Sequence, residues 1–298
     1  MTQNTNVSSV PEVVLVKKQR QRAWLRAFRT PNGIIGVVLL AIILLMGIMA
    51  VARLTPYDPA AQNVSQLLSA PSASHWFGTD QFGRDVFSRV ASGLANSILI
   101  AIVSVAFAFV VGSFFGIVAG FYGGITDRIV GVVTNVLFAF PSLLLALALA
   151  ATLQRSWVTV AIAIAVVYIP IFIRVSRGPV LSLRNSEYVL AAQAVGRSRL
   201  STIFAHIVPN IRSILVVQIT LSLSWAILTE AALSFLGFGT PPPAASLGGM
   251  VYQAQTLVSV APWTLIFPGV ALIFAVIGLN LLGDSLRVAL EPAGKGKA

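Results

Sequence analysis

Long apolar runs alternate with short polar segments along almost the whole chain. A helix needs about 20 apolar residues to cross a hydrocarbon core about 30 Å thick, and six runs approach or exceed that length. They are 33–52, 96–121, 129–153, 157–173, 213–237 and 262–283. The pattern therefore predicts an all-α polytopic membrane protein with six transmembrane helices.

Two features inside these runs predict local geometry. Pro141 interrupts the third run, and a proline inside a helix removes a backbone hydrogen bond and kinks the helix. Gly112, Gly116 and Gly120 recur every fourth residue in the second run. This spacing places small residues on one face, where another helix can approach closely.

The N-terminal region leaves alternatives open. Residues 17–29 are basic and carry Trp24 and Phe28 on one helical face, which suits either a surface helix on an anionic membrane or a charged flank that sets orientation. Residues 50–52 resemble a signal-peptide cleavage site. However, the run before them is longer than the 7–15 residues typical of signal peptides, which favours a retained anchor.

Composition supports a bilayer protein. The chain has 298 residues, of which 57% are hydrophobic and 10% are charged, whereas soluble domains carry about 25% charged residues. It has no cysteine, so disulfides and cysteine-ligated metals are excluded. The two histidines, His75 and His206, are far apart in sequence, which disfavours a histidine metal site.

The basic residues predict the topology, because lysine and arginine concentrate on the cytoplasmic side. Most of them lie before the first run, in the segment 174–212 and in the C-terminal tail. Both termini and that basic segment are therefore expected in the cytoplasm, and residues 53–92 and 239–261 outside. The predicted units are 1–32, a cytoplasmic segment; 33–92, the first span and external loop; 93–285, the transmembrane core; and 286–298, a cytoplasmic tail.

The basic segment itself predicts a helix–turn–helix. Ser186 can cap a helix whose first turn holds Glu187, and Gly196 suits the end of that helix. Ser198 can cap a second short helix, which is expected to stop near Pro209. Periodicity alone also allows an interfacial loop that binds no partner.

The segment resembles the cytoplasmic EAA loop of binding-protein-dependent ABC transporter permeases. The matching positions are Ala191, Ala192, Gly196, Val208 and Pro209. Leu190 and His206 depart from the general pattern, since it has glutamate and isoleucine there. Glu187, three positions before Leu190, instead resembles the variant found in peptide permeases.

Other motifs resemble the C-type permease subunit of dipeptide and oligopeptide importers. They are Gly-Thr-Asp at 78–80, Gly-Arg-Asp at 83–85, the segment 230–237, three prolines at 241–243 and the segment 280–284. Leu247 departs from the tryptophan often found in the outer loop. The resemblance covers nearly the whole chain after residue 30.

This resemblance implies a multi-pass subunit of the bacterial inner membrane. Its expected partners are a second homologous permease, two ATP-binding cassette ATPases, an external or periplasmic solute-binding protein and membrane lipid, with no nucleic acid. The segment at about 176–212 would couple to the ATPases through Glu187, Ala191, Ala192, Gly196 and Pro209. The chain lacks the phosphate loop G-x-x-x-x-G-K-[ST], so it is expected to be non-catalytic, with no cofactor of its own and ATP bound by partners.

The fifth run carries a candidate translocation path. Gln218, Ser222, Trp225 and Thr229 form one helical stripe, which either lines a pore or bonds to another helix; pore lining is favoured because the stripe is continuous. Glu230 lies about 26 Å along the helix, near its outer edge. It is a candidate path residue, either as an outer gate or in a structural hydrogen bond, and the structural role is favoured.

Two polar groups have competing interpretations. Asp80, Arg84 and Asp85 in the external loop either contact the binding protein or brace the loop by ion pairs, and bracing is favoured. His206 is expected to pack at a helix end rather than to act as a pH switch.

The sequence features bear on four candidate functions. A peptide importer is favoured, and the same architecture importing glutathione or a nickel chelate is the main alternative. An ion-coupled secondary transporter would need ionisable residues at the membrane midplane, and the runs place none there. A membrane enzyme would need a nucleophile–base or metal constellation, which is not evident.

Overall fold

The structure, a computed structural model, describes residue 28 and residues 30–290. The surface helix considered for 17–29 and the tail residues 291–298 lie outside the described residues, apart from residue 28. The described chain is helical. The α-helices are α1 Pro31–Val51, α2 Val86–Tyr122, α3 Gly124–Ala139, α4 Ser142–Thr152, α5 Trp157–Leu183, α6 Glu187–Ala194, α7 Arg199–Thr202, α8 Val208–Phe235, α9 Leu247–Ala254 and α10 Trp263–Leu290.

The prediction of a polytopic all-α protein is confirmed. Among the described residues, five helical stretches are long and apolar enough to cross a membrane. They are α1, α2, α5, α10 and the continuous stretch Arg199–Phe235, which contains α7 and α8. The bent pair α3 and α4 brings the number to six if it counts as one span.

Several predicted boundaries were wrong, because charged residues that interrupt an apolar run do not end a helix. Helix α2 begins at Val86 rather than at 96, with the Asp85 carboxylate accepting from the Ser88 N–H as its N-cap. Helix α5 continues to Leu183 rather than 173, and α10 continues to Leu290 rather than 283. The predicted outer loop 239–261 contains the short helix α9.

Pro141 breaks the third run instead of kinking it. Helices α3 and α4 meet at 89°. Phe140, the residue before the proline, has φ −91° and ψ 137°. This extended conformation is the one that the proline ring imposes on the residue preceding it, so the helix ends there.

The glycine face of α2 packs against α5, as its spacing predicts. A Cβ placed on Gly112 would lie 2.6 Å from the carbonyl oxygen of Ile169, and one on Gly120 would lie 2.9 Å from Cβ of Val180. The two backbones are therefore too close for any side chain between them. This pair is the central contact of the bundle, and α8 packs against both helices.

The loops gather at two opposite ends of the bundle. At one end, called the loop end, the segment 53–85 meets the residues around α9, since Arg84 Nη2 donates to Gln253 Oε1 over 3.4 Å. At the other end, α6 and α7 form what is called the α6–α7 hairpin. There Arg184 Nη1 donates to the carbonyl oxygen of Gly120 over 3.1 Å.

Candidate functional site

The α6–α7 hairpin has the helix–turn–helix form that its sequence predicts. Gly196 has φ +80°, the left-handed conformation that glycine adopts without strain. Its N–H donates to the Gln193 carbonyl, and the Arg197 N–H donates to the Ala192 carbonyl. These two bonds close α6 as a Schellman motif. Ser198 then caps α7 by accepting from the Ser201 N–H.

The start of α6 differs from the sequence prediction in how Ser186 bonds. Ser186 occupies the N-cap position, but its hydroxyl donates to the Leu183 carbonyl at the end of α5 instead of accepting from α6. Glu187 lies in the first turn and is exposed. Ser186 therefore ties α6 to α5, and the Glu187 carboxylate faces solvent near the positive end of the helix dipole.

The second helix does not stop near Pro209, contrary to the prediction. Residues Ile203–Ile207 form a π-helical turn that leads directly into α8. The Val208 N–H donates to the Ile203 carbonyl, five residues back. Pro209 lies in the first turn of α8, where a missing N–H costs little, and the wider π-turn accommodates it. The hairpin thus continues into a membrane-spanning helix without a flexible joint.

The hairpin is anchored by one apolar cluster. Val189 of α6 is fully buried against Ile203, Ile207 and Ile211, and Val180 of α5 joins the same cluster. On the polar side, Arg197 Nη1 lies 3.0 Å from His206 Nε2, and the Tyr188 ring meets the His206 ring edge-on. His206 therefore packs between the two helices, as predicted, but from a π-helical turn inside a continuous stretch rather than from a helix end.

The outer surface of the hairpin is apolar and exposed. Val195 is 86% exposed and Phe204 is 70% exposed, with Leu190 and Leu200 also at the surface. Ala191 and Gly196 are exposed beside them, whereas Ala192 and Pro209 are half-buried. Sequence reasoning found the small residues but missed these large ones, although large apolar residues within a charged segment were a usable signal.

An ion pair holds the hairpin end together. Arg177 of α5 donates from Nη2 to Oδ2 of Asp127 in α3 over 2.8 Å, and its Nε also contacts this carboxylate. Arg174 of α5 lies over the Phe138 ring at 4.1 Å. These two contacts therefore join α5 to α3 at this end of the bundle. The sequence did not indicate this link, because the paired residues come from different runs.

The polar stripe of α8 lines one cavity of about 330 Å³. Gln218 donates from Nε2 to Ser222 Oγ over 3.1 Å, and Thr229 lies 3.4 Å from the hydroxyl of Tyr168 in α5. Trp225 is 59% exposed at its edge. The cavity's other walls come from α3, α4 and α5. They are Leu137, Phe138, Phe140, Ser142, Leu145, Val167, Tyr168 and Ile171, with Leu221 of α8.

Glu230 is separated from the other four predicted path residues. It is fully buried and does not line the cavity. Its carboxylate accepts from Ser97 Oγ over 2.6 Å, from Ser234 Oγ over 2.7 Å and from Ser246 Oγ over 3.4 Å. Because these serines belong to α2, α8 and the segment before α9, Glu230 joins three elements at the loop end.

The acidic and basic residues singled out in the loop before α2 are buried braces. Asp80 accepts from Arg84 Nε over 2.7 Å and from two backbone N–H groups. Asp85 caps α2 and lies 2.9 Å from His75 Nδ1. All of these side chains are buried, so their pairs are better shielded from water than the exposed pairs expected from sequence. Within the described residues, no group of three His, Asp or Glu side chains is placed to hold a metal ion.

Comparison with known proteins agrees with this architecture. Residues 112–295 match the family of binding-protein-dependent transport system inner membrane components. Residues 18–71 match the N-terminal transmembrane domain of oligopeptide transport permease C.

Individual relatives match over most of their length. The chain is 40% identical over 276 residues to the dipeptide transport system permease protein DppC of Alkalihalophilus pseudofirmus, covering 91% of this chain and 90% of that one. It is 38% identical to the oligopeptide transport system permease protein OppC of Bacillus subtilis, covering 91% and 88%. It is also 38% identical to the glutathione transport system permease protein GsiD of Pectobacterium atrosepticum, covering 85% of each.

Proposed function

The chain belongs to the binding-protein-dependent inner membrane components, the non-catalytic, multi-pass permease subunits of bacterial ABC transporters, and we propose that it serves an importer of di- or oligopeptides. The family implies partner ATPases and a solute-binding protein. The further proposal is that the complex contains two ATPases and a second, homologous permease, with this chain as one half of the pore.

The proposed orientation places both termini and the α6–α7 hairpin in the cytoplasm. The basic residues before the first span and between α5 and α8 support it, because such residues favour the cytoplasmic side. The loop end then faces the outside, where a solute-binding protein delivers its cargo.

The observation that carries the coupling role is the rigid continuity of the hairpin with α5 and α8. The exposed apolar surface around Val195 and Phe204 suits a groove on an ATPase, and its burial there would contribute stabilising free energy. Glu187, Ala191, Ala192 and Gly196 lie on the same hairpin, and Pro209 lies at its junction with α8. Closure of the ATPase pair would then move α5 and α8 as rigid bodies.

The cavity beside α8 supports a peptide path. A peptide carries an amide at every residue, and these amides need water or polar partners inside a membrane. Gln218, Ser222 and Thr229 supply amide and hydroxyl groups along one line, and Trp225 supplies an aromatic edge. The exposed side of this cavity is the surface against which the second permease would close the path.

Glutathione is the second candidate cargo. The relatives named as glutathione permeases match this chain almost as well as those named for dipeptides and oligopeptides.

The test is to co-purify the chain with its partners and reconstitute the complex in liposomes. We expect ATPase subunits in the preparation, ATP hydrolysis that the binding protein and peptide stimulate, and uptake of labelled peptide. Competition by glutathione against dipeptides and tetrapeptides would rank the cargoes. Uptake by the chain alone, without an ATPase, would refute the proposal.

A further inference from the structure

A second pocket, of about 180 Å³, lies at the loop end. Of the described residues, three arginines line it. Arg84 lies in the loop before α2, Arg89 lies in the first turn of α2, and Arg155 lies in the link between α4 and α5. The opposite wall includes Ser234 and Ser246. A cleft lined by three guanidinium groups has a positive potential.

Arg84 is partnered within the chain by Asp80 and Gln253, whereas Arg89 and Arg155 are used less completely. Arg89 is 3% exposed, and its Nε finds no hydrogen-bond acceptor in the part of the chain that the structure describes. Arg89 Nε lies 3.5 Å from Asp80 Oδ2, and Arg89 Nη1 donates to the Pro59 carbonyl. Arg155 is exposed and lies over the Phe238 ring at 5.6 Å. A buried donor without a partner is rare and calls for an explanation.

The charge balance leaves the pocket positive. Asp80 is the carboxylate that contacts Arg84 and Arg89. Glu230 lies behind Ser234 and Ser246, whose hydroxyls already donate to it. Three arginines against these two carboxylates leave at least one positive charge, even when both carboxylates are ionised. This net positive charge favours an anion as the group that occupies the pocket.

We propose that this pocket, called the arginine pocket, receives an aspartate or glutamate side chain of the solute-binding protein. The inference rests on the proposed function, which places the loop end outside the membrane. Guanidinium groups bind carboxylates through charge-assisted and often bidentate hydrogen bonds. Arginine is also enriched among the few residues that dominate protein–protein affinity, typically in desolvated pockets.

Three observations favour a partner's side chain over the cargo. The arginine pocket and the α8 cavity have no lining residue in common. Ser234 faces about 140° around α8 from Thr229, at about 100° per residue, so the two sites lie on different faces of the helix. The volume of about 180 Å³ is below the roughly 300–1,000 Å³ typical of small-molecule sites, but it accommodates one carboxylate side chain.

Arg155→Glu tests the proposal, because Arg155 is exposed and forms no ion pair with any other described residue. The variant complex is reconstituted in nanodiscs, and its binding to the solute-binding protein that stimulates the wild-type complex is measured at low and high salt. We expect the affinity to fall at least tenfold at low salt, mainly through slower association, and the difference to shrink at high salt. Reversing the charge of the matching acidic residue on the binding protein should restore binding to this variant.

Arg53→Glu is the matched control, because Arg53 is an exposed arginine on the same side of the membrane that does not line the pocket. Its affinity for the binding protein should remain within twofold of wild type. Equal affinities for the Arg155 and Arg53 variants would overturn the inference while leaving the proposed function intact. A changed KM for peptide with unchanged docking would assign the pocket to the cargo and also overturn it. A wild-type complex that no binding protein stimulates would overturn the proposed function itself.

Discussion

Gly112 of α2 and Phe172 of α5 are in such close contact that a Cβ on Gly112 would lie 2.6 Å from the Phe172 Cβ. The same atom would lie 2.6 Å from the Ile169 carbonyl oxygen, which belongs to the backbone and cannot move independently of α5. The contact therefore sets the distance between the two helices at the centre of the bundle.

Gly112→Ala is expected to destabilise the protein by about 1–3 kcal/mol, the usual cost of overpacking a core. Thermal unfolding of the purified protein in detergent measures this loss. Gly131→Ala is the control, because among the described residues nothing lies within 4 Å of a Cβ at that position. The control should be neutral or stabilising, since alanine favours helix more than glycine does. Equal melting temperatures for both variants would contradict the close packing.

Glu230→Ala is expected to cost at least about 2 kcal/mol, because it leaves buried serine hydroxyls without their acceptor. Glu230→Gln should cost less, since the amide oxygen still accepts one of these bonds. The KM for peptide should stay unchanged in both variants, because Glu230 does not line the cavity. Glu187→Ala, at an exposed carboxylate, is the control for stability. A Glu230→Gln variant with normal stability and an altered KM would indicate a gate instead.

Phe204→Ser is expected to weaken association with the ATPase at least tenfold, because burying a phenylalanine contributes about 1.5–3 kcal/mol. The melting temperature should change little, since this side chain is mostly exposed. Val189→Ser should show the reverse pattern, because Val189 anchors the hairpin from inside. Co-purified ATPase and thermal unfolding together distinguish the two effects. Full ATPase retention by Phe204→Ser would exclude this surface from docking.

Gly196→Trp is expected to insert normally into the membrane but to lower peptide uptake per ATP hydrolysed. The substitution adds bulk to the hairpin surface and forces a side chain into the left-handed conformation at φ +80°. Gly196→Asn is the control, since asparagine tolerates that conformation. Membrane fractionation and liposome uptake provide the measurements. Normal coupling in the tryptophan variant would exclude the hairpin tip from the docking surface.

Gln218→Leu is expected to raise the KM for peptide several-fold, because it removes an amide from the cavity wall while keeping a similar volume. ATPase association should be normal. The exposed Gln62 supplies the control variant Gln62→Leu, which should leave uptake unchanged. Unchanged uptake by Gln218→Leu would mean that the stripe serves helix packing rather than transport.

Local patterns predicted much of this molecule. The glycines at four-residue spacing predicted the contact of α2 with another helix, and Gly196 predicted the end of α6. The spacing of the polar residues from Gln218 to Thr229 predicted that they lie on one face of α8, and they line one cavity. Each of these depends on residues within one helix, where the period of 3.6 residues determines which side chains are neighbours.

Other features could not be predicted from the sequence. The sequence predicts too short a span for α5, because Arg174 and Arg177 interrupt the apolar run. In the fold, Phe138 and Asp127 of α3 contact these two arginines, and the helix continues. The π-turn before Pro209 was missed, because proline alone does not reveal how the preceding turn adjusts. These outcomes depend on contacts between elements.

The amino-acid sequence is sufficient to show that the chain is a multi-span helical protein, where its apolar stretches lie and which helix faces carry small or polar residues. The folded structure is needed to show that Glu230 is buried among three serines, that Phe204 is exposed and that Arg84, Arg89 and Arg155 line one pocket. The two kinds of information differ in the distance along the chain over which the interactions act. Apolar length and helical period act between near neighbours in the chain, whereas burial and electrostatic pairing depend on residues that only the folded chain brings together.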